Sequence, residues 1–141
     1  FQGSSAYGNV NENNSTYLFW AWKEIQGYSK FGKYIGNGDA EGSFVYTGFK
    51  PAFVIIKRRD AVNNWLIYDH KRSGYNPKQD KLYPDDASAE DASTTSVDLL
   101  SNGFKLRASS ASQNASGGTY IYMAFAESPF TTSTGVPTTA R

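Results

Sequence analysis

The only histidine of the chain lies in Asp69-His70-Lys71-Arg72, and hydroxyl residues are plentiful, so a Ser-His-Asp relay can be written around it. Neighbouring acid and imidazole do not readily align carboxylate with ring nitrogen, and no Gly-x-Ser-x-Gly elbow presents a nucleophile. A solvated charged turn after a strand is the better reading. There is no cysteine, hence no thiolate and no disulfide framework, and a single histidine makes a poor zinc site.

Paired acids for glycoside cleavage must flank a bond, with one pKa raised by its surroundings. Asp39 with Glu41, and Asp85, Asp86, Glu90 and Asp91, all fall in polar stretches with no sign of burial. Calcium suits Asp85, Asp86, Glu90 and Asp91 better, because hard cations take several loop oxygens, although the spacing matches no EF-hand. Calcium is the one cofactor these residues would accept, and a solvated acidic loop is the plainer alternative. Gly36-Asn37-Gly38-Asp39-Ala40-Glu41-Gly42 has the glycines of a phosphate cradle. It lacks the following helix and the closing Lys-Ser/Thr, so it reads as a hairpin loop.

A binding site is written most clearly by Trp65, Tyr68, Asp69, Arg72, Tyr75 and Asn76: aromatics, a carboxylate, a guanidinium and an amide within twelve residues. Aromatic faces and planar polar groups in a concave setting suit a sugar. Strand alternation sets Trp65 and Asp69 on one face and Tyr68 on the other, so they cannot all meet one ligand. Trp65 has the character of a core residue, which leaves Tyr75 and Asn76 as the exposed members.

The elements that would hold such a site follow from composition. Nine Phe, ten Tyr and three Trp accompany 13 Gly in 141 residues, a mixture of strand formers and turn formers. No window has a helical apolar period. Residues 57–107 interleave nine basic with eight acidic side chains, and the net charge is +1. Such mixing gives no single-sign field for nucleic acid. The apolar run at residues 17–22 is far too short to span a bilayer.

Strands are expected at residues 28–34, 44–46, 52–58, 65–68, 97–100, 104–107 and 120–126. The 52–58 strand is apolar on both faces, and Asn102-Gly103 marks a hairpin turn. Residues 71–95, with Pro77 and Pro84, read as a long loop broken by short edge pieces. The fold class expected is all-β, an antiparallel β-sandwich of jelly-roll or Greek-key type with about seven to nine strands.

One segment recurs. Thr16-Tyr17-Leu18-Phe19-Trp20-Ala21-Trp22-Lys23-Glu24 echoes Thr119-Tyr120-Ile121-Tyr122-Met123-Ala124-Phe125-Ala126-Glu127, with Asn11 and Asn114 at the same distance ahead. The echo predicts tandem repeats of about 100 residues. On this division residues 1–5 are a tag remnant and 6–27 the last strand of a preceding repeat with its connector. Residues 28–130 form the sandwich repeat, and 131–141 an extended tail. The leading segment should either add a strand to this sandwich or replace a missing neighbour.

Several strings together carry a resemblance: Gly27-Tyr28-Ser29-Lys30-Phe31-Gly32-Lys33-Tyr34, Phe44-Val45-Tyr46-Thr47-Gly48-Phe49-Lys50-Pro51-Ala52-Phe53-Val54, Trp65-Leu66-Ile67-Tyr68-Asp69 and Asn114-Ala115-Ser116-Gly117-Gly118-Thr119-Tyr120-Ile121-Tyr122. With them the chain, from Asn11 to Arg141, resembles an uncharacterised repeat domain of structural proteins of marine tailed bacteriophages. That domain is often C-terminal and follows SPRY-like or laminin-G-like sandwiches. The resemblance implies a virion location after synthesis in the host cytoplasm. It also implies attachment to a host-surface glycan or receptor, or packing against other virion subunits, with oligomers in the full-length protein. It brings no catalytic residues. The expectation is a non-enzymatic module, with scaffolding as the rival reading and polysaccharide cleavage as a distant third.

Overall fold

The computed structural model describes residues 13–94 and 96–129. Residues 1–5, Asn11 and the 131–141 tail lie outside the described residues. Seven strands are present: β1 (Ser29–Ile35), β2 (Phe44–Tyr46), β3 (Pro51–Arg58), β4 (Leu66–Asp69), β5 (Val97–Leu100), β6 (Gly103–Leu106) and β7 (Thr119–Ala126). No helix occurs among the described residues. All pairings are antiparallel, in a four-stranded sheet of order β1-β7-β3-β4 and a three-stranded sheet of order β2-β6-β5. The fold is an antiparallel β-sandwich, as the alternation of apolar and polar residues requires.

Period-2 patterning decides which side chains enter the core. From the larger sheet come Val54 and Ile56, Leu66 and Tyr68, and Tyr120, Tyr122 and Ala124. The smaller sheet contributes Val45, Val97, Leu99, Phe104 and Leu106. Phe104 stands edge-on to Tyr122 with centroids 5.4 Å apart, and Tyr34 stacks on Tyr120 at 5.0 Å. Each such aromatic pair adds about 0.5–1.5 kcal/mol beyond its buried area.

The outer face of the larger sheet is apolar as well. Phe53 and Ile55 of β3 are half-buried there, and Phe125 is ringed by Tyr28, Phe31 and Phe53 at about 6 Å. This is why the sequence of β3 reads apolar on both faces.

Asn102-Gly103 locates the β5–β6 hairpin for a reason other than a left-handed turn. Leu100 pairs with Gly103, so the loop residues are Ser101 and Asn102, and neither has positive φ. Gly103 is needed for space, since a Cβ there would come within 2.2 Å of the Val45 carbonyl oxygen. The Asn102 carbonyl then accepts the Thr47 and Gly48 N–H groups at 3.0 and 3.1 Å.

Residues 70–96 wrap the β4 and β5 side of the sandwich. Leu82 bridges to Ile67, Lys78 to Val97 and Lys81 to Asp91, the short edge pieces expected of this loop.

Two buried carboxamides close the opposite end. Gln113 accepts the Tyr68 hydroxyl at 2.5 Å, and its own amide reaches the Ser96 carbonyl. Asn114 accepts the Asn37 N–H at 3.0 Å, and its amide reaches Asn37 Oδ1, Asp39 O and Ala108 O.

The expectation that residues 16–24 add a strand to this sandwich is not met. They form no ladder, and every residue from 13 to 26 is exposed. The slot their sequence would fit, between β1 and β3, is already filled by β7.

Replacing Asn114 with alanine strands buried loop carbonyls and an N–H at once. Asn114→Ala is expected to cost about 2–3 kcal/mol in urea unfolding. Asn114→Asp, which puts a charge where the amide donates, should cost more. A loss for Asn114→Ala below about 0.5 kcal/mol, the level of an ordinary surface change, would contradict the pinning role.

Candidate functional site

Strand β4 and the loop after it position the predicted cluster, and they separate its members. Tyr68 faces the core, has no exposure, and gives its hydroxyl to Gln113. Burial pushes its pKa up. It is a core residue and is removed from any surface site. Trp65, just ahead of β4, is half-buried, with its main-chain N–H held by Asp85 at 3.0 Å.

Asp69 and Arg72 complete each other. The Asp69 carboxylate accepts the N–H groups of Lys71 and Arg72 at 2.8 and 2.9 Å, and the Arg72 Nε–H at 2.5 Å. Arg72 continues to Glu90 at 3.0 Å and to the Ile67 carbonyl. Partial burial pushes the Asp69 pKa up, but the Arg72 N–H and guanidinium outweigh it and hold the carboxyl below its usual value. The pair is a turn staple.

Asn76 is also committed, since its amide exchanges two hydrogen bonds with the backbone of Leu99 at 2.8 and 3.0 Å, as a strand neighbour would. His70 Nδ1 lies 3.2 Å from the Ala52 carbonyl, an acceptor only, so that nitrogen carries the proton. Asp69 is turned to Arg72 and away from the imidazole.

Of the six, Tyr75 and Asn76 are the exposed members, as expected, with Tyr75 at 82% exposure. Tyr75 edges a pocket of about 110 Å³ with Lys50, His70, Asn76, Lys78 and Glu127. That volume is below the roughly 300 Å³ at which small-ligand sites begin.

The acidic loop is likewise internally paired. Asp85 holds Trp65, Asp86 holds Asn64 and the Ser88 N–H, and Glu90 holds Arg72. Asp91 takes Lys81 at 3.0 Å, the Tyr83 hydroxyl at 2.8 Å and the Ser93 N–H at 2.8 Å. Among the described residues, no three histidine or acidic side chains gather where they could hold a metal ion. In the glycine-rich loop, Asp39 caps the Glu41 N–H, and Glu41 bridges Lys105 and Arg107.

A larger cleft was not foreseen. It encloses about 520 Å³ between the connector into β1 and the β2–β3 turn. Its floor is Ser29, Thr47 and Phe49, all buried, and its rim carries Glu24, Lys30 and Tyr46. The Thr47 hydroxyl donates to the Phe49 carbonyl at 2.6 Å, which fixes the turn. Glu24 and Lys30 approach to 3.7 Å with both side chains partly open, so an acceptor and a donor stand together beside an aromatic ring 61% exposed. No local spacing announces this set, because it joins residues of two segments. Only the outward phase of Tyr46 next to inward Val45 hinted at its exposure.

The acid-loop contacts predict a pH profile. Hydrogen bonds from Ser93, with Lys81 and Tyr83, hold the Asp91 carboxyl well below its usual range. Such a group stabilises the fold above its unfolded pKa of about 3.9, and that contribution is lost as pH falls through the folded value. Burial, together with Asp91, pushes Tyr83 up to about 12. A raised tyrosine contributes fully below about pH 10 and loses that contribution as pH rises through its folded pKa. The melting temperature should therefore be flat from about pH 5 to 9 and fall on both sides. Asp91→Asn should lower the plateau, and its gap from the parent should narrow as pH drops towards about 2 in thermal melts. A gap independent of pH would contradict this account.

No curated protein and no solved structure matches the chain. One family model does match it, over residues 2–129, nearly the whole length, and by that match the chain belongs to DUF7483, a domain of unknown function.

Proposed function

We propose that this chain is a non-catalytic binding module of a phage virion protein, attaching the particle to a glycan or glycan-bearing receptor on the host surface. The virion setting rests on the resemblance of the four quoted strings. The observation that carries the binding reading is the 520 Å³ cleft with exposed Tyr46 beside Glu24 and Lys30. An aromatic face under sugar C–H groups, with a carboxylate and an ammonium for hydroxyls, is the recurrent chemistry of a polar ligand site of this size.

The non-catalytic reading is supported by the state of the carboxylates. Each cleft holds one, Glu24 or Glu127, and each is paired with a lysine. Lys50 holds Glu127 below its usual value, which disfavours a general acid. Glycoside cleavage needs two acids across the scissile bond.

A second reading, a scaffolding repeat that packs against other virion subunits, is favoured by a different observation. Leu18, Phe19, Trp20 and Trp22 are all more than half exposed in one short segment, and contiguous apolar exposure of this kind marks contact surfaces.

A glycan array probed with the labelled chain tests the first reading. Selective retention is expected, falling at least about tenfold with Tyr46→Ala, the loss of a hot-spot aromatic, and little changed by Tyr75→Ala. Loss with Tyr75→Ala alone would move the site to the loop after β4. No retention of any bacterial surface glycan by the parent chain would remove the attachment reading.

A further inference from the structure

Residues 13–24 reproduce the sequence of the closing strand and, at their start, the left-handed turn residue that precedes it. Asn14 has φ 63°, the one non-glycine among the described residues with a left-handed backbone, and Gly117, at the matching position before β7, has φ 72°. The same turn therefore precedes both segments. Asn11 stands where Asn114, the buried pin of this fold, stands in the second copy of the pattern.

The match extends to what each position does. Inward-facing Tyr120, Tyr122 and Ala124 correspond to Tyr17, Phe19 and Ala21. Ala124 has no exposure and sits between Lys30 of β1 and Val54 of β3. Ala21 is the single small residue of the leading segment from 16 to 24, and it falls at that place. Outward-facing Ile121, Met123 and Phe125 correspond to Leu18, Trp20 and Trp22, so the aromatic that Tyr28, Phe31 and Phe53 surround is again aromatic. Glu127, which pairs with Lys50 at 2.7 Å, corresponds to Glu24.

Among the described residues the leading segment from 16 to 24 belongs to no strand. It is exposed from 13 to 26, with Phe19 at 82% and Trp20 at 70%. Its far end is nevertheless fixed. The Ser29 hydroxyl, buried, donates to the Lys23 carbonyl at 2.8 Å and accepts the Ile25 N–H at 3.1 Å, so the segment enters β1 through a defined turn.

We propose that residues 13–24 are a donor strand whose partner is another sandwich of this same family, in which they fill the slot that β7 fills here. The donor pairs antiparallel with the partner's first and third strands and turns Tyr17, Phe19 and Ala21 into its core. Main-chain hydrogen bonds supply the attachment, and the large–large–small order of the inward residues supplies the register. Only Ile25 to Tyr28 separate the donor from β1, so two sandwiches joined this way form a stiff pair with a four-residue joint.

The test rewrites β7 of the full chain with the leading sequence through Ile121→Leu, Tyr122→Phe, Met123→Trp, Phe125→Trp and Ala126→Lys. The rewritten chain is expected to unfold cooperatively within about 10 °C of the parent, since its inward volumes are conserved. Adding Ala124→Trp should abolish the transition. A second measurement covers misfolding for other causes. The full chain disabled by Tyr120→Asp with Ala124→Asp is mixed with a synthetic peptide of residues 11–26. Recovery of the cooperative transition by that peptide, and not by its Ala21→Trp form, supports the donor strand. Recovery by a peptide of residues 114–129, with none by residues 11–26, overturns it.

Discussion

Gln113 and Asn114 hold together parts of the molecule that no sheet ladder joins. A carboxamide taken out of water without partners costs several kcal/mol, so two side by side are tolerable only where each donor and acceptor is met. Gln113 is met by β4 through Tyr68 and by the start of β5 through Ser96. Its main-chain carbonyl takes the Tyr34 hydroxyl of β1 at 2.6 Å. Asn114 binds the loop after β1 at Asn37 and Asp39, and the strand exit at Ala108. Tyr120 then ties the same loop back to β7, giving its hydroxyl to Ala111 and accepting the Ala115 N–H. No buried side-chain nitrogen or oxygen among the described residues is left without a partner. Tyr34 and Tyr120 thus stack with both hydroxyls held by residues 111–115.

Local chemistry was legible in the sequence and non-local chemistry was not. β2 and β5 fall at the expected residues, and the other strands lie within a residue or so of them, because period-2 alternation and turn residues are properties of short windows. Gly103 was legible as a signal and misleading as to cause, since the space it makes is set by Val45 on a neighbouring strand. The candidate site fared less well. Asp69, Arg72 and Asn76 have the residue types of a ligand site, but the same groups also staple turns and stand in for strand partners, and spacing alone cannot separate the two uses. Tyr68 failed by phase, since alternation already placed it opposite Trp65. The cleft at Glu24, Lys30 and Tyr46 had no local signature.

The long loop of residues 70–96 illustrates how polar sequence can be structural. Its lysines look solvent-bound in the sequence, yet Lys78 and Lys81 are buried. Lys78 donates to the Ser73 carbonyl and Lys81 to Thr94, with Asp91 as its counter-ion. Desolvation pulls the Lys78 pKa down, the expected response of an ammonium drawn from water. The loop thus covers the β4 and β5 edges with charged residues, and the two buried lysines find their partners within the loop itself, a polar cover of the kind that discourages edge-to-edge pairing.

The order of the larger sheet bears on how the molecule can associate. Its last strand in the chain, β7, is central in space, between the first and the third. The contacts that complete the sheet are therefore made by the segment most distant in sequence from β1, and β1 and β3 cannot pair through their facing edges until it arrives. A sheet built this way has one discrete slot whose occupant is specified by side-chain order and not by chain connection. In β7 the inward residues are Tyr120, Tyr122 and Ala124 in succession. The chain carries that order of aromatic, aromatic and alanine twice, once in β7 and once in residues 17–21, which belong to no strand among the described residues.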